Sequence, residues 1–203
     1  MQPLRNSQRY SKGTSLVEVL VAVFVFSVGL LGIAALQVQS KRSNFEAIQR
    51  TTASMLTNDL VERLRSNTAA LNTYITNANL PLGGGQITAE PAPNCFSDAA
   101  PCTTDELAVH DLWEWEQSID GAAEVEAGNQ SGGLVSPTGC VIGPAGGGTG
   151  EYTVAISWRG LSELADTGAL KDPCGQGSGK YDGPGGPDVF RRVLALQVYI
   201  EGS

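Results

Sequence analysis

Apolar residues follow two different rhythms over the first third of this chain. Between Leu16 and Leu36 they run almost without interruption, and Glu18 is the single charge. A helix of that length rises about 30 Å, the thickness of a bilayer core. Further on, Phe45, Ile48, Thr52, Leu56, Leu60, Leu64 and Leu71 recur at three- and four-residue spacings or their multiple. That spacing predicts one apolar face of a helix. Glu46 with Arg50, and Asp59 with Arg63, stand four residues apart in the favourable order on its outer face. One helix is therefore expected from about 16 to 68, uninterrupted by proline. Residues 14–36 would form its membrane half and residues 37–77 an amphipathic half, with a globular domain over 78–203.

Loops and compact elements alternate in the rest of the chain. Residues 78–102 are rich in Pro, Gly and Ala and read as a loop. In "CTTDELAVHDLWEWEQSIDG", Thr103 and Glu106 have the spacing of a capping box. Ala108, Leu112, Trp115 and Ile119 form a buried stripe, and Gly121 ends the helix. The period then drops to two. In "EYTVAISWRG", Tyr152, Val154, Ile156 and Trp158 alternate with Thr153, Ala155, Ser157 and Arg159, which predicts a half-buried antiparallel strand. In "VFRRVLALQVYIE", Leu194, Leu196, Val198 and Ile200 alternate with Val193, Ala195, Gln197 and Tyr199. A weaker strand lies near 134–142, and "GPAGGGTG" and "KDPCGQGSGKYDGPGGPD" read as loops. The expected class is α+β: a long helix packed on an antiparallel sheet, with a short inserted helix and Gly-rich loops.

Composition narrows the function. The formal charge is −8, and no Lys or Arg occurs between Arg65 and Arg159, where eleven acids lie. Binding to phosphate backbones needs Lys and Arg, so no nucleic-acid partner is expected. The acidic stretch reads as a solvated face. The four cysteines, Cys95, Cys102, Cys140 and Cys174, all follow the apolar segment. An even number at wide spacing suggests disulfides in an oxidising compartment. Three pairings are possible, and Cys95–Cys102 with Cys140–Cys174 is the preferred one. No C-x2-C pair suggests zinc.

Catalytic patterns fail at specific positions. His110, the single histidine, neighbours Asp111, but adjacent helix residues point in different directions, so a surface position is expected. The run "CGQGSGKY" has Cys174 where a phosphate loop needs glycine, and Tyr181 where it needs Ser or Thr. Gln176 stands where a G-x-S-x-G elbow needs its first glycine. Neither an enzyme nor a bound cofactor is expected. Asp172, Asp182 and Asp188 lie in a glycine-rich loop and form the one candidate calcium site. The alternative is Asp in its ordinary turn-forming role.

Glu18 is the anomaly. A carboxylate near the centre of a membrane helix costs about 2.5–3.5 kcal/mol on insertion scales. A secretory signal peptide, cut near Gly32-Ile33-Ala34, would not need it, nor would a plain single-pass anchor. A cut after Gly13 changes this. The new amino terminus, on Thr14, would lie four residues before Glu18, and the two opposite charges could be buried together. Arg5, Arg9 and Lys12 hold the N-terminus in the cytoplasm by the positive-inside rule. Lys41 and Arg42 weaken that asymmetry, and the expected disulfides set the C-terminal part outside.

Gly13 followed by Thr14-Ser15-Leu16-Val17-Glu18, between a basic leader and an apolar run, resembles the leader site of type IV prepilins and type II secretion pseudopilins. The resemblance implies cleavage by prepilin peptidase after Gly13, N-methylation of Thr14, and a filament-assembly role for the Glu18 carboxylate. Thr14 stands where phenylalanine is usual in those families. A cysteine, then D-E-L-A, then D-L-x-x-W resembles the PilV type of minor pilin, so the similarity covers the leader, the long helix and the short helix. It implies a pilin fold, an inner-membrane anchor with a periplasmic domain, and incorporation into a pilus. The implied partners are other minor and major pilins and the inner-membrane assembly platform. The nearest alternative is a type II secretion pseudopilin. A rival of another class is a membrane-anchored periplasmic ligand-binding or enzymatic domain, which would tolerate Glu18→Ala.

Overall fold

A computed structural model describes residues 13, 15–76, 81–96, 101–122, 125–126, 129–130, 132–165, 167–168 and 170–202. Arg5, Arg9, Lys12 and Thr14 lie outside them. The chain forms two compact units, one ending at Asn44 and the other starting at Phe45.

In the first unit, helix α1 begins at Leu16, and every described side chain as far as Asn44 is exposed. No proline interrupts the helix and long aliphatic residues dominate it, which favours uninterrupted helix. Helix α1 continues to Ser66.

The second unit holds the core. Here α1 buries Gln49, Ala53, Thr57, Leu60, Val61 and Leu64. The spacing is helical as expected, but the face is rotated by about one residue over the first turns. Ile48 is 61% exposed, and Gln49 takes the inward place because its amide is paired on both sides. Its Nε2 donates to the Gly133 carbonyl, and its Oε1 accepts from Val135 N–H. Thr57 is buried because its hydroxyl donates to the Ala53 carbonyl. A polar residue can replace an apolar one inside when every polar atom is matched. Glu46 does not pair with Arg50. It accepts from Leu161 N–H and lies 3.6 Å from Arg192, so long-range partners override the local spacing.

The helix stops at Ser66, shortly before the expected end. Asn67 leaves helical geometry at φ −128° and ψ 57°, and its amide donates to the Thr104 carbonyl. A 3-10 turn over Thr68–Ala70 and one helical turn, α2 (Leu71–Tyr74), follow. Helix α3 (Thr104–Asp120) has the expected capping box between Thr103 and Glu106, and Gly121 closes it in the left-handed region at φ 75°. Ala108, Leu112, Trp115 and Ile119 are buried as predicted, and the Trp115 indole donates to the Leu56 carbonyl of α1.

Two strands of two residues each, β1 (Val125–Glu126) and β2 (Asn129–Gln130), pair with each other. The main sheet is antiparallel, in the order β3 (Thr138–Ile142), β4 (Gly150–Arg159), β5 (Arg191–Ile200). Trp115, Tyr152, Val154, Ile156 and Trp158 join Leu60 and Leu64 of α1 in one core. Helix α3 lies close against β3 because residue 139 is glycine: a Cβ there would stand 2.6 Å from the Trp115 ring. Strand β4 is more buried than alternation predicts. Ala155 and Ser157, on its second face, are fully buried because the 174–181 segment covers them.

Candidate functional site

The N-terminal helix carries the candidate site. Its first turn is set by Ser15, whose carbonyl accepts from Glu18 N–H at 3.0 Å and Val19 N–H at 3.2 Å. Glu18 therefore sits where an acidic side chain complements the positive end of the helix dipole. Among the described residues its carboxylate has no partner, and Gly13 contacts nothing within 4 Å of where a Cβ would be. Around it the surface is apolar on all sides: Leu16, Leu20, Phe24, Leu31 and Leu36 are each more than 60% exposed. The helix is long and apolar enough to cross a membrane, with a mean hydropathy of 2.8 in its most apolar window and none of that window buried in the chain. Such a surface is stable only in lipid or against other apolar helices.

In the second unit, the cysteines are joined as Cys95–Cys102 and Cys140–Cys174, and none is free. The first bond closes part of the loop before α3. The second ties β3 to the loop that covers the sheet, and both of its cysteines are buried.

The three loop aspartates are not gathered round a common point. Asp172 Oδ1 accepts from Cys174 N–H, Asp182 Oδ1 from Asp188 N–H, and Asp188 Oδ2 from Gly177 N–H. Each holds a turn. Among the described residues no group of three or more His, Cys, Asp or Glu could hold a metal ion. The turn-forming alternative is the one the geometry matches.

His110 overturns its expected surface position: it is 1% exposed. It lies edge-on between Phe96 and Trp113, with Nε2 3.5 Å from a Glu90 carboxylate oxygen. The loop before α3 folds back over this face of the helix, which local helix geometry cannot reveal.

Two further buried residues escaped the sequence reading, and one of them, Glu116, belongs to the acidic stretch that was read as a solvated face. Glu116 is fully buried and accepts from the N–H groups of Gly83, Gln86 and Ile87, so it clamps the loop after α2 onto α3. It follows Leu112 by four residues, and that spacing was the available signal. Arg191 is buried under the loop and donates to the carbonyls of Asp172 and Cys174. No local pattern marks it, since its partners are loop carbonyls.

A single apolar helix bearing one first-turn acid, followed by a disulfide-bonded α+β domain, defines a class of helix-anchored proteins with a pilin-like fold. Residues 8–34 match the family model of the prokaryotic N-terminal methylation motif, and residues 35–113 match that of Type IV pilin Tt1218. The two matches meet inside α1, and together they support a protein of the pilin or pseudopilin kind with a membrane-anchoring N-terminal helix. No curated protein and no solved structure matches the chain.

Proposed function

We propose that this chain is a minor pilin of the type IV pilus, of the PilV type, which promotes filament assembly by binding rather than by turnover. Prepilin peptidase cuts after Gly13 and methylates the new amino terminus on Thr14. The mature chain is held in the inner membrane with its domain in the periplasm. There it meets the assembly platform and the other minor and major pilins. One observation carries the reading: the exposed apolar first part of α1, with a lone first-turn carboxylate, lies largely within the residues that match the methylation motif.

The mechanism is charge matching in a low dielectric. An unpaired carboxylate is expensive in lipid, and so is an unpaired ammonium. The Thr14 amine and the Glu18 carboxylate of a neighbouring helix cancel that cost together. An intermolecular pair also sets the axial register of one helix on the next.

Two measurements test this. The mass of the mature chain purified from its host should correspond to a start at Thr14 with one added methyl group; a start at Met1 or Ala35 ends the pilin reading. Glu18→Ala should be processed and folded like the parent chain but fail to support piliation. Unchanged pilus recovery in that variant removes the docking role.

A further inference from the structure

Two grooves run between α1 and β5, and they carry an unmatched positive charge. One is lined by Ala47, Arg50, Thr51, Ser54, Met55 and Leu194. The other also contains Ala47 and Arg50, and adds Glu46, Trp158 and Arg192. Glu46 is already engaged, by Leu161 N–H and by Arg192 at 3.6 Å. Arg50 is exposed, and among the described residues it has no acidic partner. Two guanidinium groups against one carboxylate leave the grooves with a net charge of about +1. Met55, at 67% exposed, is the apolar feature beside them.

The same grooves lie under an open sheet edge. In the order β3-β4-β5, β5 pairs on one side only. Leu82 and Gly139 exchange N–H and carbonyl bonds on the far edge, which turns Gly139 away from β4. Thr138 and Cys140 then face β4, where they pair with Ser157 and Ala155. By alternation Ile156 and Val154 face β5 and pair with Leu194 and Leu196. The N–H and C=O groups of Val193, Ala195, Gln197 and Tyr199 therefore point out of the sheet. Natural edges are usually short, bulged, or guarded by Lys or Pro. Strand β5 is ten residues long, pairs without a bulge, and has neither charge nor proline from Val193 to Ile200.

We propose that this edge binds an extended segment of a different protein, which adds to the sheet as a strand and carries an acidic and an apolar residue two positions apart. The outward backbone groups of β5 supply the ladder. Alternate side chains of the added strand turn toward α1. The one opposite Leu194 enters the groove beside Met55 and is apolar. The one opposite Arg192 reaches Arg50 and is acidic. A second copy does not fit. Antiparallel pairing of two β5 edges puts the two-fold axis normal to the joined sheet. Residues 45–66 of the two α1 helices would then run in opposite directions, which two chains anchored in one bilayer cannot do. The inference concerns β5 and its grooves and does not depend on the role of Glu18.

The test uses the full chain in detergent micelles and a labelled, end-capped peptide, Thr-Val-Thr-Glu-Thr-Val-Thr, whose pattern reads the same in both directions. Fluorescence anisotropy should show saturable binding. Gln197→Pro removes one outward N–H and spares the ladder to β4, so it should weaken binding on the order of tenfold with the circular dichroism spectrum unchanged. Arg50→Glu should weaken it on the order of fivefold and should favour a second peptide with Lys in place of Glu. Hydrogen exchange of the unmodified chain gives an independent readout. Saturating peptide should slow the amides of Ala195 and Gln197, while that of Leu196, already bonded to β4, should not change. Absence of saturable binding overturns the proposal. So does binding that a folded Gln197→Pro variant leaves intact, or a charge preference that Arg50→Glu does not reverse. Should Gln197→Pro unfold, the exchange pattern decides: slowing confined to the outward amides supports the site, and no slowing refutes it.

Discussion

Arg63 organises a cluster of charges in the second unit. Its Nη1 donates to Asp111 Oδ1 and Glu114 Oε2, both at 2.7 Å, and its Nε to Asp59 at 3.0 Å. Tyr74 donates its hydroxyl to the other Asp111 oxygen. Burial alone would pull the Arg63 pKa down, but the hydrogen bonds it donates to Glu114 and Asp111, with the nearby charges of Asp59 and Asp111, outweigh it, and the net direction is upward. Replacing Arg63 with methionine leaves Asp111 nearly buried without its cation. A loss of about 2–3 kcal/mol is expected in urea denaturation, less than for a fully buried pair because Arg63 is part-exposed. Tyr74→Phe should cost about 1 kcal/mol, and the double variant less than the sum, since both act through Asp111. The pH dependence follows from Tyr74 at one end and Glu106 at the other. Burial, then the bond to Asp111, raises the Tyr74 pKa above its ordinary value of 10.0. The protonated phenol thus stabilises the fold below pH 10, and that contribution is lost as pH rises beyond it. Glu106 is lowered by the Thr103 backbone and side-chain bonds, so its contribution is present at neutral pH and lost on acidification below the usual carboxylate range. Thermal melts across pH should show a plateau between these limits. A midpoint that rises above pH 10 contradicts the Tyr74 assignment.

At the level of elements, the contact between α3 and β3 is the sharpest packing constraint. Gly139→Ala would drive a methyl group into the Trp115 ring, which is itself fixed by its bond to Leu56. A loss of about 1–3 kcal/mol is expected, the usual range for overpacking, and the denaturation midpoint measures it. Helix α3 and strands β4 and β5 were legible in the sequence because their signals are local: a cap at each end, or a period of two. What was not legible depends on residues far along the chain. The rotation of the α1 face is set by Gly133 and Val135, which satisfy Gln49. The second covered face of β4 comes from Tyr181, whose hydroxyl bonds to Thr138. His110 became a core residue through the loop carrying Glu90 and Phe96. In the candidate site, Gly13 and Glu18 stood out because one charge in an apolar run is conspicuous. Glu116 and Arg191 did not, because their partners are backbone atoms of loops.

For the molecule as a whole, the two disulfides divide the stabilisation unequally. Cys140 and Cys174 are 34 residues apart, and Cys95 and Cys102 are 7 apart. By loop-closure entropy, losing the first should cost about 4 kcal/mol and losing the second about 2 kcal/mol. Burial points the same way kinetically, since Cys140 and Cys174 are shielded while Cys95 and Cys102 are partly exposed. Titration with a mild thiol, followed by alkylation and peptide mapping, should therefore open Cys95–Cys102 first. The domain should remain folded until the second bond yields. Reduction in the reverse order would show that the covering loop opens more readily than its contacts indicate.

The placement of the aromatic side chains also has a spectroscopic use. The three indoles are Trp113, Trp115 and Trp158, all in the second unit, and the last two are buried in its core. The lipid-compatible stretch of α1 contains phenylalanine as its only aromatic type. Intrinsic fluorescence excited at the indole band therefore reports on the globular unit alone. Its emission can follow unfolding in vesicles or micelles without any signal from the anchoring segment.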